Sequence, residues 1–302
     1  MRGYLDKTLE LKITQERNMQ LVFAAALCSV LVSALMKLFK ARGLNTLQMV
    51  ASNYAIASIL CFFWFKPDFS HVSITGTPWW IIILLAIILP SIFLCLGKAL
   101  QTVGMVKTEI AQRLSVILSV IAAFMLFQEQ LNLLKALGLV LGLAAILLLL
   151  FSKSGLNTTQ AMPKTGLYAL LAVWGGYALV DVLLKYTSSL GLQFAVTINL
   201  SFILAFIFTL VVLFVQKTQW NKQAISAGLV LGLFNFANIA LYVKAHQLLK
   251  DSPAVVFVGM NILVMFLGGL LGVILFKEQL RKELFLALLL GVMSVLCLAM
   301  AV

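Results

Sequence analysis

Charge is what this chain has least of. Only 11% of its residues are Asp, Glu, Lys or Arg, against 63% hydrophobic. A soluble domain of that composition would lack the polar side chains to cover its surface, so a water-exposed globule is excluded. Histidine occurs only at His71 and His246, in unrelated surroundings, so a metal-dependent membrane enzyme is not expected. Cys28, Cys61, Cys95 and Cys297 all fall inside apolar stretches, with no CxxC and no metal-ligand spacing. They read as small buried hydrophobes. There is no P-loop, no G-x-S-x-G and no dinucleotide fingerprint, and no large polar domain to bind ATP. Neither a cofactor nor a metal is expected, and the chain is not read as an enzyme. The net charge of +12 does not point to nucleic acid, because the basic residues are spread thinly among the loops. They mark helix ends and meet lipid headgroups.

What the chain does have is apolar length. Ten stretches are long enough to cross a hydrocarbon layer, at about 19–39, 45–65, 78–101, 105–127, 132–151, 165–187, 192–215, 221–249, 252–276 and 281–301. They are too long and too uniform for barrel strands, and lipid supplies no partner for unpaired backbone groups, so all are helices. The expected fold is an all-α membrane protein of ten transmembrane helices. Residues 1–18 mix Arg2, Lys7, Lys12 and Arg17 with Asp6, Glu10 and Glu16, which argues against a signal peptide and for a solvated or interfacial tail. Lys40 to Asn45 ends the first span and Lys66-Pro67-Asp68 the second. The polar run from Lys153 to Lys164, with Gly155, Asn157 and Pro163, is the natural joint. The units are a tail (1–18), a first five-helix repeat (19–152), a linker (153–164) and a second five-helix repeat (165–302).

The two halves echo one another. Phe127-Gln128-Glu129-Gln130-Leu131 returns as Phe276-Lys277-Glu278-Gln279-Leu280, 149 positions on. Lys40 and Gln48 match Lys185 and Gln193 at an offset of 145, and Lys98-Ala99-Leu100-Gln101 matches Lys244-Ala245-His246-Gln247 at 146. Gly142 matches Gly291 at 149, which places three extra residues around Asp251-Ser252-Pro253. Ordered matches with a slowly drifting offset indicate duplication. Five helices is an odd number, so the second copy enters the membrane from the other side, and the repeat is inverted. Counting Lys and Arg loop by loop shows no excess on either side. The basic amino-terminal tail favours a cytoplasmic start, and an even span count then puts both termini in the cytoplasm.

With the Glu-x-Leu segments Glu129-Gln130-Leu131 and Glu278-Gln279-Leu280, each leading into a helix with Gly138 and Gly142 or with Gly291, the chain resembles the drug/metabolite transporter superfamily, specifically its ten-helix EamA-type members. The family commonly has Gly before that Glu and a basic residue after it, where this chain has Gln128 and Gln130, or Lys277 and Gln279. It often has Pro upstream, where Val116 and Met265 stand here. The resemblance implies an inner-membrane carrier of small metabolites, working by alternating access around a cavity lined by helices other than five and ten. Amino acids and related compounds are the first substrates it implies.

A charge in mid-membrane costs about 2.5–3.5 kcal/mol or more, so each one calls for a reason. Glu109 and Arg113 lie four apart on one face of helix four, with Gln112 beside them. Arg113 suits an anionic substrate group through its planar fork. The other reading is a Glu109–Arg113 pair that only fixes packing. Asp181 and Lys185 repeat that spacing in helix six, and Trp174 and Tyr177 continue the face. Met36 aligns with Asp181 in the first half, so the carboxylate is unmatched. Asp181 and Glu109 are the candidates for proton coupling, with a surface salt bridge as the alternative for Asp181. Asn235, Asn238, Tyr242 and His246 form one stripe of helix eight, suited to cavity lining or to hydrogen bonds between helices. His246 reads as an interfacial residue. Asn53 beside Tyr54, Asn199 and Asn261 are isolated candidates for substrate contact. Gly138/Gly142, Gly228/Gly232 and Gly268/Gly272 have the spacing of close helix contacts, and Trp79, Trp80 and Trp220 stand where interface anchors belong.

The function read from these residues is secondary transport, export foremost, of a small polar or amphipathic metabolite across the inner membrane. The expected partners are the substrate, membrane lipids and protons, with a monomer preferred over an oligomer. The rivals are a nucleotide-sugar-type exchanger and a membrane receptor or scaffold that transports nothing.

Overall fold

The computed structural model describes residues 2–127, 132–152, 162–249 and 253–301, without the side chains of residues 2–18, 127 and 253. The motif at Gln128 to Leu131, most of the linker from Lys153, and Asp251-Ser252 lie outside the described residues. Eleven helices follow in order: α1 Arg2–Ala41, α2 Thr46–Phe65, α3 Trp79–Thr102, α4 Met105–Arg113, α5 Ser115–Phe127, α6 Leu133–Phe151, α7 Lys164–Ser189, α8 Phe194–Val215, α9 Lys222–Leu248, α10 Pro253–Ile274 and α11 Lys282–Met300. Among the described residues there is no strand. Ten candidate membrane spans result, because α4 and α5 are two pieces of one span, Met105–Leu126. The helical backbone of α1 runs without a break from Arg2, so residues 2–18 continue the first span as helix.

Local chemistry sets the ends. Asn45 caps α2 by accepting from Leu47 N and Gln48 N, Asn132 caps α6 through Lys135 N, and Asn221 caps α9 through Gln223 N. Between α1 and α2 the chain reverses at Gly43 with φ +76°, and between α7 and α8 it does so at Gly191 with φ +83°. Both turns carry the same pair of backbone bonds: Gly43 N to Lys40 O with Leu44 N to Phe39 O, and Gly191 N to Ser188 O with Leu192 N to Thr187 O.

These twin turns correct the register expected for the first two helices of each half. Gly43-Leu44-Asn45 superposes in role on Gly191-Leu192-Gln193, an offset of 148 rather than 145. Lys37, not Lys40, is therefore the counterpart of Lys185, and Ser33, not Met36, is the counterpart of Asp181. Lys37 and Lys40 are identical lysines three residues apart, on adjoining turns of α1. The offset of 146 for α3 and α9 is consistent with their ends at Thr102 and Leu248. That of 149 for α6 and α11 is consistent with Phe151 and Met300.

Glycine admits the tightest contacts. A Cβ on Gly228 would lie 2.3 Å from the carbonyl oxygen of Met49, and one on Gly232 would lie 2.6 Å from that of Asn53, so α2 and α9 meet backbone to backbone. Gly138 and Gly142 receive Leu298 and Ser294 of α11, and Gly268 receives the Glu109 side chain of α4. Which helix packs on which is largely unchanged when the counterparts of the two halves are exchanged. The α1–α9 contact answers to α7–α3, and α2–α9 to α8–α3. The α1–α10 contact answers to α7 on α4 and α5, while α2–α8, α4–α10 and α6–α11 are their own counterparts. An inverted duplication would leave this pattern. A few contacts break it, the most extensive being that of α1 on α3, whereas α7 makes no comparable contact with α9. Outside, Phe62, Phe63, Phe214, Trp80 and Trp220 are exposed, as lipid-facing and interfacial side chains are.

Candidate functional site

A cavity of ≈ 480 Å³ lies between the two halves, in the range of small-molecule sites. Its walls come from α1, α2, α3, α4, α5, α7, α8, α9 and α10, and from neither α6 nor α11. The break between α4 and α5 at Leu114 opens onto it. Arg113, the last residue of α4, reaches the wall, and its Nη2 donates to Ser29 Oγ of α1 at 2.6 Å. Its Nε is buried with no partner. Gln112 lines the wall beside it, with Oε1 buried and unbonded. Trp174 of α7 donates its indole N–H to the Leu114 carbonyl at 3.0 Å, at the break.

From α7, Tyr177 and Asp181 reach the cavity. Asp181 Oδ2 accepts from Ser119 Oγ of α5 at 3.1 Å, and the side chain is exposed to the cavity rather than enclosed by protein. From α9 come Asn235, Asn238 and Tyr242, and from α10 Asn261. Asn261 is partly committed, since its Nδ2 donates to the Phe257 carbonyl at 2.8 Å. Asn238 Oδ1 is buried and unbonded. Tyr54, Phe93 and Phe202 form an aromatic wall, with ring centroids 6.0 Å apart for Tyr54 and Phe93 and 5.6 Å for Tyr54 and Phe202. The wall therefore offers one guanidinium, one carboxylate, unpaired amide oxygens and aromatic faces.

Eight of the twelve residues singled out from the sequence, Gln112, Arg113, Tyr177, Asp181, Asn235, Asn238, Tyr242 and Asn261, converge on this one space. Four stand behind it. Asn53 is fully buried and its Oδ1 takes the bond from Asn235 Nδ2 at 3.2 Å. Asn199 is fully buried and its Nδ2 donates to the Ser58 carbonyl at 2.9 Å, tying α8 to α2. Trp174 holds the helix break. Glu109 is fully buried against Gly268, with the Ser33 hydroxyl of α1 the hydrogen-bonding side chain beside its carboxylate. An amide inside a span needs a hydrogen-bonding partner, and these two find it on a neighbouring helix instead of in the cavity.

One end of the bundle is shut. After α10 the chain folds back, and the Glu278 carboxylate accepts from Met105 N at 2.6 Å and Val106 N at 3.0 Å, the first amides of α4. It also pairs with Lys37 of α1, whose Nζ lies 4.2 Å from the centre of the Phe276 ring. Gly104 has φ +96°, and a Cβ there would come within 2.7 Å of Glu278 Oε2, so glycine lets the carboxylate reach the helix end. Gln101 Nε2 donates to the Lys37 carbonyl at 2.7 Å. Gln48 bridges α2 to the turn before α9, giving to Gln219 O at 2.6 Å and taking from Asn221 N at 3.0 Å. Lys107 is buried, and its ammonium donates to the carbonyls of Ser152 at 2.8 Å and Leu149 at 3.3 Å, ending α6. Lys37, Lys107 and Gln101 were missed from the sequence. A lysine within a membrane span is the signal that could have found the first two.

The opposite end is open. There Phe65, Phe194, Tyr242, Val243, His246 and Gln247 line a recess that shares Phe194, Tyr242 and Val243 with the cavity. The ring of Tyr242 meets that of His246 edge-on at 4.6 Å.

Ten apolar spans around a mainly apolar cavity with a few polar groups, shut at one end and open at the other, define a multi-pass membrane protein with room for a small molecule between its halves. The sequence profile of the EamA-like transporter family matches residues 18–151. An uncharacterized protein of Haemophilus influenzae is 36% identical over 285 residues, covering 92% of this chain and 96% of its own. A solved crystal structure, 16% identical, shares the fold with a TM-score of 0.59 over 93% of this chain and 96% of that one. The chain belongs to the EamA-like transporter family, within the drug/metabolite transporter superfamily. That family is one of small-molecule transporters.

Proposed function

We propose that this protein is a secondary transporter that exports small polar or amphipathic metabolites, amino acids first among them, across the inner membrane. The observation that carries the reading is the single cavity in which Arg113 and Asp181 present opposite charges among amides and aromatic rings. Arg113, with Gln112, takes the carboxylate of the substrate. Asn235, Asn238, Tyr242 and Asn261 give neutral hydrogen bonds, and Tyr177 an apolar wall. Asn53, Asn199 and Trp174 hold the helices that carry these groups. Glu109 and Asp181 are the carboxyls able to carry a coupling proton. The two five-helix halves rock about the cavity as an inverted repeat, and the protein works as a monomer. With both termini in the cytoplasm, the open end faces the cytoplasm, where an exporter loads.

The test joins ligand stabilisation to flux. Purified protein is screened by thermal unfolding against amino acids and related metabolites, and each stabilising compound is followed into proteoliposomes with and without a proton gradient. The expected result is a compound bearing both carboxylate and ammonium that stabilises and moves. A panel in which nothing moves removes the transport reading, and obligatory stimulation by a counter-substrate favours the exchanger. In cells, a cysteine at Leu190 is expected to label only from the cytoplasmic face and one at Arg42 only from outside. The reverse pattern inverts the orientation.

A further inference from the structure

Two residues of the shut end, Lys37 and Gln101, have counterparts of the same type at the open end. At the shut end, Gln101 of α3 donates to the backbone carbonyl of Lys37 of α1, and α1 packs on α3 there. The register set by the twin glycine turns makes Lys185 of α7 the counterpart of Lys37, and the match of α3 with α9 makes Gln247 the counterpart of Gln101. Gln247 is exposed on the lip of the open mouth, and α7 and α9 do not pack together as α1 and α3 do. The most extensive helix contact without a counterpart in the other half thus falls on the helix pair that carries this glutamine and this lysine.

We propose that Gln247 is the closing residue of the open mouth: in the opposite state its side-chain amide donates to the backbone carbonyl of Lys185 while Gln101 lets go of Lys37. A helical carbonyl keeps a second lone pair when its intrahelical bond is made, so Lys185 O can take this donor without unwinding α7. The bond needs the approach of α7 to α9, of the kind that α1 and α3 already make at the other end. The side chain of Lys185 is not required, because the acceptor is main chain. This assignment rests on the alternating-access reading above, since without a second state the mouth never shuts.

The test measures distances rather than transport. In protein whose four native cysteines are replaced, spin labels are placed at Leu190 and Lys244 across the mouth, or at the equivalent Arg42 and Lys98 across the shut end, all four positions being exposed. Distance distributions are read in lipid nanodiscs without added ligand. The parent is expected to show a long and a short distance for each pair. One lost hydrogen bond is worth about a fivefold change in such a ratio. Gln247→Ala is therefore expected to lower the mouth-shut fraction about fivefold, and Gln101→Ala to raise it by a similar factor. Because Gln247 is exposed, its replacement leaves the core intact, and it decides the matter alone if Gln101→Ala fails to fold. A single long mouth distance in the parent, an unchanged ratio in Gln247→Ala, or a shift of both variants in the same direction overturns the assignment. Flux in proteoliposomes with unmoved distances would leave the transport reading standing without this gate. Distances that shift as stated without any flux would do the converse.

Discussion

Replacing Arg113 with alanine is expected to raise the substrate concentration for half-maximal transport by about 10- to 100-fold, the weight of hydrogen bonds to a charged group. Arg113 ends α4 at the cavity wall, tethered to Ser29 by one nitrogen and holding a second, Nε, buried and unbonded. A guanidinium placed so offers a carboxylate a planar pair of donors that a lysine ammonium does not reproduce. Arg113→Lys should therefore recover only part of the affinity. The loss should also be selective: an amine lacking the carboxylate should be handled by Arg113→Ala as well as by the parent. Radiolabelled uptake, paired with an unfolding temperature that shows the variant folded, decides it. Equal loss for both compounds would place Arg113 in the scaffold.

The span pattern was legible because lipid leaves helix as the only way to bury so long an apolar run. The break at Leu114 was not, since no Pro or Gly marks it and its carbonyl is held by an indole 60 positions later. Cavity residues were legible as a class but not individually. Asn199 and Asn261 are both isolated in sequence, and only the packing determines which of them reaches the cavity. The register of the repeat was hidden by Lys40, which mimics Lys37 one turn away, while the glycine turn that reveals it depends on backbone angles. Glu278 was visible as a recurring motif, but its partners, Lys37 and the start of α4, lie more than 170 positions away.

Glu278→Ala is expected to cost about 3–5 kcal/mol of stability, because it strands Lys37 as a buried charge and leaves two amides of α4 without acceptors. Lys37→Met should cost less: the carboxylate would keep both backbone bonds and the favourable field of a helix start. Combining the two should recover part of the Glu278→Ala loss, since the stranded ammonium is then gone. The order of unfolding temperatures in detergent, parent first, then Lys37→Met, then the double variant, then Glu278→Ala, is the measurable form of this claim. A Glu278→Ala protein that melts with the parent would show that the contact carries no stability.

Four of the five tryptophans, Trp64, Trp79, Trp80 and Trp220, stand at the ends of spans. The fifth, Trp174, grips the carbonyl at the helix break, one residue beyond Arg113. The molecule thus carries a built-in optical reporter. With the four outer indoles changed to phenylalanine, the fluorescence that remains comes from a single ring beside the cavity, and its colour follows filling and emptying without any attached dye.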